Sequence, residues 1–134
     1  MADGMSISVS GMQAASLWLS ATASNVANMN SDGAVPAGQP ANQDSNVYQP
    51  LSVSQTPAAT GGVDASLQAS LPAFRLKYDP QAPYANMQGM VATPNVDLPT
   101  QMVQLREAAN NFQANLQAFK ASSSMFKSLL DATA

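Results

Sequence analysis

All nine prolines of this 134-residue chain lie between Pro36 and Pro99, leaving residues 1–35 and 100–134 without one. A proline inside a helix removes a backbone donor and clashes with the preceding turn, so two helix-compatible ends flank a middle that cannot be helical over any length. The expected organisation is an N-terminal helix within residues 1–31, a Pro-rich loop and small β-subdomain over 32–97, and a C-terminal helix over 98–134, together forming one structural unit. The fold class this implies is mainly α with a small β part, the terminal helices forming a coiled-coil-like pair.

The C-terminal segment carries the stronger pattern. Leu98, Met102, Leu105, Ala109, Phe112, Leu116, Phe119, Ser123, Phe126 and Leu130 recur at alternating steps of four and three, the spacing of a coiled-coil seam. Asp97 is placed to cap this helix, with Pro99 tolerated in the first turn. The N-terminal segment repeats the period with smaller knobs: Met5, Met12, Leu19 and Val26 at one position, Val9, Ser16 and Ala23 at the other. It is rich in Ser and Thr and lacks Glu-to-Lys pairs, so its helicity must come from docking. The C-terminal helix is the longer of the two, so part of its stripe has no internal cover and needs another chain.

In the middle, residues 32–46 are rich in Gly, Pro, Ala, Gln and Asn and read as flexible loop. Residues 47–53 and 74–78 have the alternation of short strands, and Gly61 and Gly62 suit a turn between them. Two or three strands are expected over a thin core drawn from Val47, Leu51, Val53, Val63, Leu67, Leu71, Phe74, Leu76, Tyr78 and Val91.

Composition removes most chemistries. With no His and no Cys there is no Ser-His or Cys-His pair, no zinc site of imidazoles and thiolates, and no disulfide. Only 10% of residues are charged, the net charge is -3, and no Lys or Arg precedes Arg75. Neither nucleic acid nor an anionic membrane finds a basic patch here. The uncharged run from Gly4 to Ser31 is long enough to span a bilayer, but recurrent Ser, Thr, Gln and Asn mark it as a soluble helix without membrane insertion. The first fifteen residues lack the basic start and unbroken apolar stretch of a cleaved secretory signal.

Asn28, Asn30, Asp32 and Gly33 have the spacing of the start of a calcium loop, but Asn stands first and Gln39 stands where a bidentate Glu belongs. A helix-ending turn is the better reading. The eight carboxylates are scattered, with no pair placed for acid–base work. Trp18 and the phenylalanines at helical spacing read as packing residues. No catalytic residue, cofactor or metal is expected.

The segment Ala23, Ser24, Asn25, Val26, Ala27, Asn28, Met29, Asn30, Ser31 resembles the Asn-rich end of the N-terminal helix in bacterial flagellar axial proteins. Tyr78, Asp79, Pro80, Gln81, Ala82 and Pro83, followed by Ala85, Asn86, Gly89, Val91, Pro94, Asn95, Val96 and Asp97, are similar to the proximal-rod, C-type family of basal-body rod proteins. The resemblance implies a structural subunit of the shaft that carries torque through the periplasm to the hook. It further implies type III export without a cleaved signal, folding during assembly, and partners among copies of itself, other rod proteins and the export apparatus. The candidate assembly residues are Met5, Val9, Met12, Leu19, Asn25, Val26 and Asn28 in the first helix, and Leu98, Met102, Leu105, Phe112, Leu116, Phe119, Phe126 and Leu130 in the second. The competing expectations are a self-contained amphipathic helical interaction module, for which only Arg106, Lys120 and Lys127 supply basic residues along the stripe, and a small carboxylate-only enzyme.

Overall fold

A computed structural model describes residues 2–36 and 47–133. The elements run α1 (Ala2–Asn28), β1 (Leu51–Pro57), β2 (Val63–Ala69), β3 (Phe74–Tyr78), β4 (Met90–Pro94) and α2 (Leu98–Thr133). Most of the stretch expected as flexible loop, residues 37–46, lies outside the described residues, and Gln39 with it.

The cap of α2 forms as its sequence requires. Asp97 Oδ2 accepts from the Thr100 backbone N–H at 3.1 Å and from the Thr100 hydroxyl at 2.6 Å, satisfying a donor that the helix start leaves without a partner. The hydroxyl bond and then the backbone bond hold the Asp97 carboxyl below its ordinary pKa. The helices lie antiparallel. A side chain on Gly4 would reach Ser122, one on Gly11 would meet Asn115, and Asn25 bonds Gln101, so each step along α1 is matched by one step back along α2.

The middle differs from the sequence expectation in three respects. It holds four strands in two separate antiparallel two-stranded sheets, not two or three strands in one subdomain. The first strand begins at Leu51 rather than at residue 47, because the chain before it is engaged elsewhere. Val47 is buried, the Tyr48 hydroxyl lies 3.0 Å from Ser24 and Asn25 of α1, and Pro50 has no N–H for a ladder. Gly61 and Gly62, at φ of 86° and 91°, turn β1 directly into β2. The two strands pair from Leu51 opposite Ala69 to Pro57 opposite Val63. β2 is almost wholly exposed, so no buried face marks it in sequence; pairing with β1 makes it a strand.

β3 and β4 pair from Phe74 opposite Pro94 to Tyr78 opposite Met90. Gly33 adds a bridge to Ala92, with both N–H···O bonds at 2.9 Å, tying the chain just after α1 to the outer edge of β4. Of the expected middle core, Val47 and Val91 are buried, whereas Leu67, Leu71, Leu76 and Tyr78 are 46–70% exposed. Two-stranded sheets cover one another too little to bury both faces.

Small side chains dominate what is buried. Ala14, Ala15, Ala21, Ala73, Ala92 and Ala108 are each at most 5% exposed, together with Val91, Ser8, Thr22, Asn25 and Thr93. No helix among the described residues is long and apolar enough to cross a membrane.

Candidate assembly face

The contact between the helices does not run along the large apolar residues. On α1 it follows Gly4, Ser8, Gly11, Ala15, Trp18, Thr22 and Asn25, and on α2 it follows Gln101, Gln104, Ala108, Asn115 and Ser122. Ala108 is the one buried residue of α2 among those described. Each set has the four-three spacing expected of a seam, but each sits one residue before the apolar heptad. The physical reason is proximity: Gly, Ala and Ser allow the two backbones to approach where Met or Phe would hold them apart. A Cβ built on Gly11 would lie 2.5 Å from Asn115 Oδ1, so the helices already touch there.

A one-residue advance rotates a helix position by about 100°. Because α1 and α2 are antiparallel, that rotation has opposite senses in a common view, and the two displaced apolar stripes emerge on the same side of the pair. The structure shows them converging. Val9, Met12, Gln13, Ser16, Leu17 and Ser20 of α1 and Phe112 of α2 line an open groove of about 550 Å³.

The other side of α1 is occupied by the β1–β2 hairpin. Val63 N–H donates to Ser10 Oγ at 3.2 Å, the Gly61 turn rests on Ile7, and any side chain on Gly62 would collide with Ser10. The middle of the chain thus covers one flank of the helix pair and leaves the apolar flank open.

The candidate residues divide accordingly. Met5, Met12, Leu19, Val26, Leu98, Leu105, Phe112, Leu116 and Phe119 are half-buried, and Val9, Met102, Phe126 and Leu130 are exposed. Past Ser122, which faces Gly4, α2 overhangs its partner, and Met125, Phe126, Leu129 and Leu130 are about half exposed. Asn28 turns back on its own helix, donating to Ser24 O at 2.8 Å.

Asn25 belongs elsewhere. It is 3% exposed, and its amide is used entirely within the chain: Nδ2 donates to Leu51 O at 2.8 Å and Gln101 Oε1 at 3.0 Å. Its Oδ1 accepts from Leu51 N–H at 2.8 Å and lies 3.0 Å from the Tyr48 hydroxyl. The contact residues missed from sequence are the small ones, Gly4, Ser8, Gly11, Ala15 and Thr22. Their own four-three spacing, one step ahead of the apolar stripe, is the signal that marks them.

The calcium-like segment serves another purpose. Asp32, its side chain 11% exposed, pairs with Lys77 Nζ at 2.8 Å through Oδ2 and accepts from Thr93 Oγ1 at 2.8 Å through Oδ1. Burial pushes the Asp32 pKa up. The Lys77 and Thr93 hydrogen bonds and the Lys77 charge outweigh that and hold it below the ordinary value. The same hydrogen bond, then the Asp32 charge, raises that of Lys77. Among the described residues no cluster of acidic side chains is arranged to hold a metal ion.

Comparison with known proteins matches both ends of the chain to one family. Residues 5–34 match the model described as flagella basal body rod protein, and residues 87–132 match the flagellar basal body rod FlgEFG protein C-terminal model, covering the two helices and β4. The chain is 38% identical to the flagellar basal-body rod protein FlgC of Escherichia coli O6:H1 over 89% of its length and 87% of the relative. It is 31% identical to the FlgC of Aquifex aeolicus over 97% of this chain and 95% of that one. A third relative, from Agrobacterium fabrum, is 30% identical over 93% and 89%. Two helices paired through small residues, with an uncovered apolar flank, are therefore the frame of a chain that belongs to the flagellar basal-body rod protein family.

Proposed function

We propose that the chain is a proximal-rod subunit that polymerises with copies of itself and with other rod proteins through the open apolar flank of α1 and α2, forming part of the periplasmic shaft that transmits torque to the hook. Its role is structural and not catalytic. The observation that carries this is the displacement of the large apolar residues from the intramolecular seam: the chain pairs its helices through Gly, Ala and Ser and leaves Met102, Phe126 and Leu130 to solvent. The chain leaves the cytoplasm through the flagellar type III apparatus and folds once exported. A first helix with few large buried side chains, stabilised mainly by docking, suits that route.

The energetics favour many neighbours over one. Covering Met125, Phe126, Leu129 and Leu130, each about half exposed, contributes roughly 1 kcal/mol apiece. Association costs about 4 kcal/mol at the least, so a single such contact is insufficient and the subunit is held where several contacts form together. Contacts between unlike surfaces propagate a helix rather than close a symmetric pair.

The test is incorporation. Phe126→Asp and Phe119→Asp leave expression intact and abolish motility, and the variant chains are missing from purified basal bodies. Wild-type swimming by both variants, with normal incorporation, refutes the proposal.

A further inference from the structure

The geometry points to Asn25 as the register lock of the helix pair, the residue that decides which turn of α1 faces which turn of α2. The seam itself carries little register information. Sliding α1 by one heptad so that Gly4 meets Asn115 puts Gly4 where Gly11 was and Ser8 where Ala15 was, small for small, and carries Trp18 to the place of Asn25. The polar seam residues mostly bond their own helix: Ser8 to Gly4 O, Thr22 to Trp18 O, and Asn115 to Asn111 O. Those bonds survive any slip. Trp18 is half-buried and borders two open clefts of about 300 and 190 Å³ rather than filling a fitted socket.

Asn25 differs on each count. Its amide is buried, its bond to Gln101 Oε1 crosses from α1 to α2, and its remaining atoms grip both the N–H and the C=O of Leu51. An amide has two donors and two acceptor sites, and here all four are matched. Shifting α1 by one heptad carries the side chain about 10 Å from these partners and leaves buried polar groups unpaired. A single buried Asn fixing the register of a helix pair is a known use of a costly polar group. Here the same residue also fixes where the returning chain starts β1. The length of the α2 overhang follows from the register, while the lock itself does not depend on the assembly reading.

The chain contains no cysteine, so introduced pairs report cleanly. Gly4→Cys with Ser122→Cys reads the native register, since a Gly4 Cβ would lie 3.6 Å from Ser122 Oγ. Gly4→Cys with Asn115→Cys reads a shift of one heptad. In the full-length parent chain, mild oxidation should close the first pair and not the second. Asn25→Ala should lower the native-to-shifted ratio at least about fivefold. Gln101→Ala, which spares the Leu51 bonds, should move it in the same direction. Redistribution in Asn25→Ala, or in Gln101→Ala where Asn25→Ala loses both cross-links, supports the lock. An unchanged ratio in Asn25→Ala, or in Gln101→Ala where Asn25→Ala loses both, a parallel loss of both cross-links in both variants, or failure of the parent chain to form the native cross-link overturns it.

Discussion

Gly11→Ala separates helix propensity from helix contact. In an isolated helix the change stabilises by about 0.8 to 1 kcal/mol, because glycine is the costlier residue to order. Here the new methyl would lie 2.5 to 2.7 Å from the Asn115 Oδ1, Cγ and Nδ2 atoms. Asn115 must swing away and give up its 2.9 Å bond to Asn111 O, at a cost of about 0.5 to 1.5 kcal/mol. The two effects nearly cancel, so the single variant should be close to neutral. Removing the obstacle releases the propensity term: Gly11→Ala with Asn115→Ala should be about 1 kcal/mol more stable than Asn115→Ala alone. The double-mutant cycle should therefore return a coupling of about 1 kcal/mol, well above the few tenths expected of distant sites. The assay is urea unfolding of the four chains, followed by circular dichroism at low protein concentration. A Gly11→Ala variant that gains its full propensity, with additive double-mutant behaviour, would mean that Asn115 does not face Gly11, and the seam described here would be wrong.

Further expectations follow from the cap, the ion pair and the overhang. Asp97→Ala should lower the melting temperature and fray the start of α2, because Thr100 loses its acceptor; hydrogen exchange at Thr100 and Gln101 reads this. Asp32 has a depressed pKa, so its contribution is complete above the ordinary carboxylate value of about 3.9 and is lost as pH falls through the depressed one. Lys77 has a raised pKa, so its contribution is complete below about 10.4 and is lost as pH rises beyond it. The melting difference between the parent and Asp32→Asn should therefore be flat from about pH 5 to 10 and shrink in acid; a difference that grows toward acid contradicts the assignment. Removing residues 125–134 should leave the α1–α2 pair folded, since they lie beyond Ser122 and Gly4, yet prevent incorporation into basal bodies.

Periodicity located the elements better than it located their faces. The proline distribution marked both helices, and Asp97 marked the start of the second. The heptads Met5 to Val26 and Leu98 to Leu130 correctly showed that each helix has one apolar side. They misassigned that side to the intramolecular contact, because large apolar residues signal burial without saying in which assembly the burial occurs. The close-contact face was written in small residues, which carry almost no hydrophobic signal. Asn25 stood out as part of an Asn-rich segment, but its partners Leu51 and Gln101 are 26 and 76 residues away, and no local pattern connects them. β2 was illegible because its side chains are exposed on both faces, and β4 because Met90–Pro94 is short and ends in proline.

The most direct test of the central claim is the reactivity of a single cysteine at Ser16, in the open groove between α1 and Phe112. A small maleimide reagent should label Ser16→Cys readily in the free subunit and only after detergent dissociation in purified basal bodies. Equal labelling in the free chain and in the intact basal body would show that the apolar flank stays open in the rod, and the account of how this subunit assembles would fail.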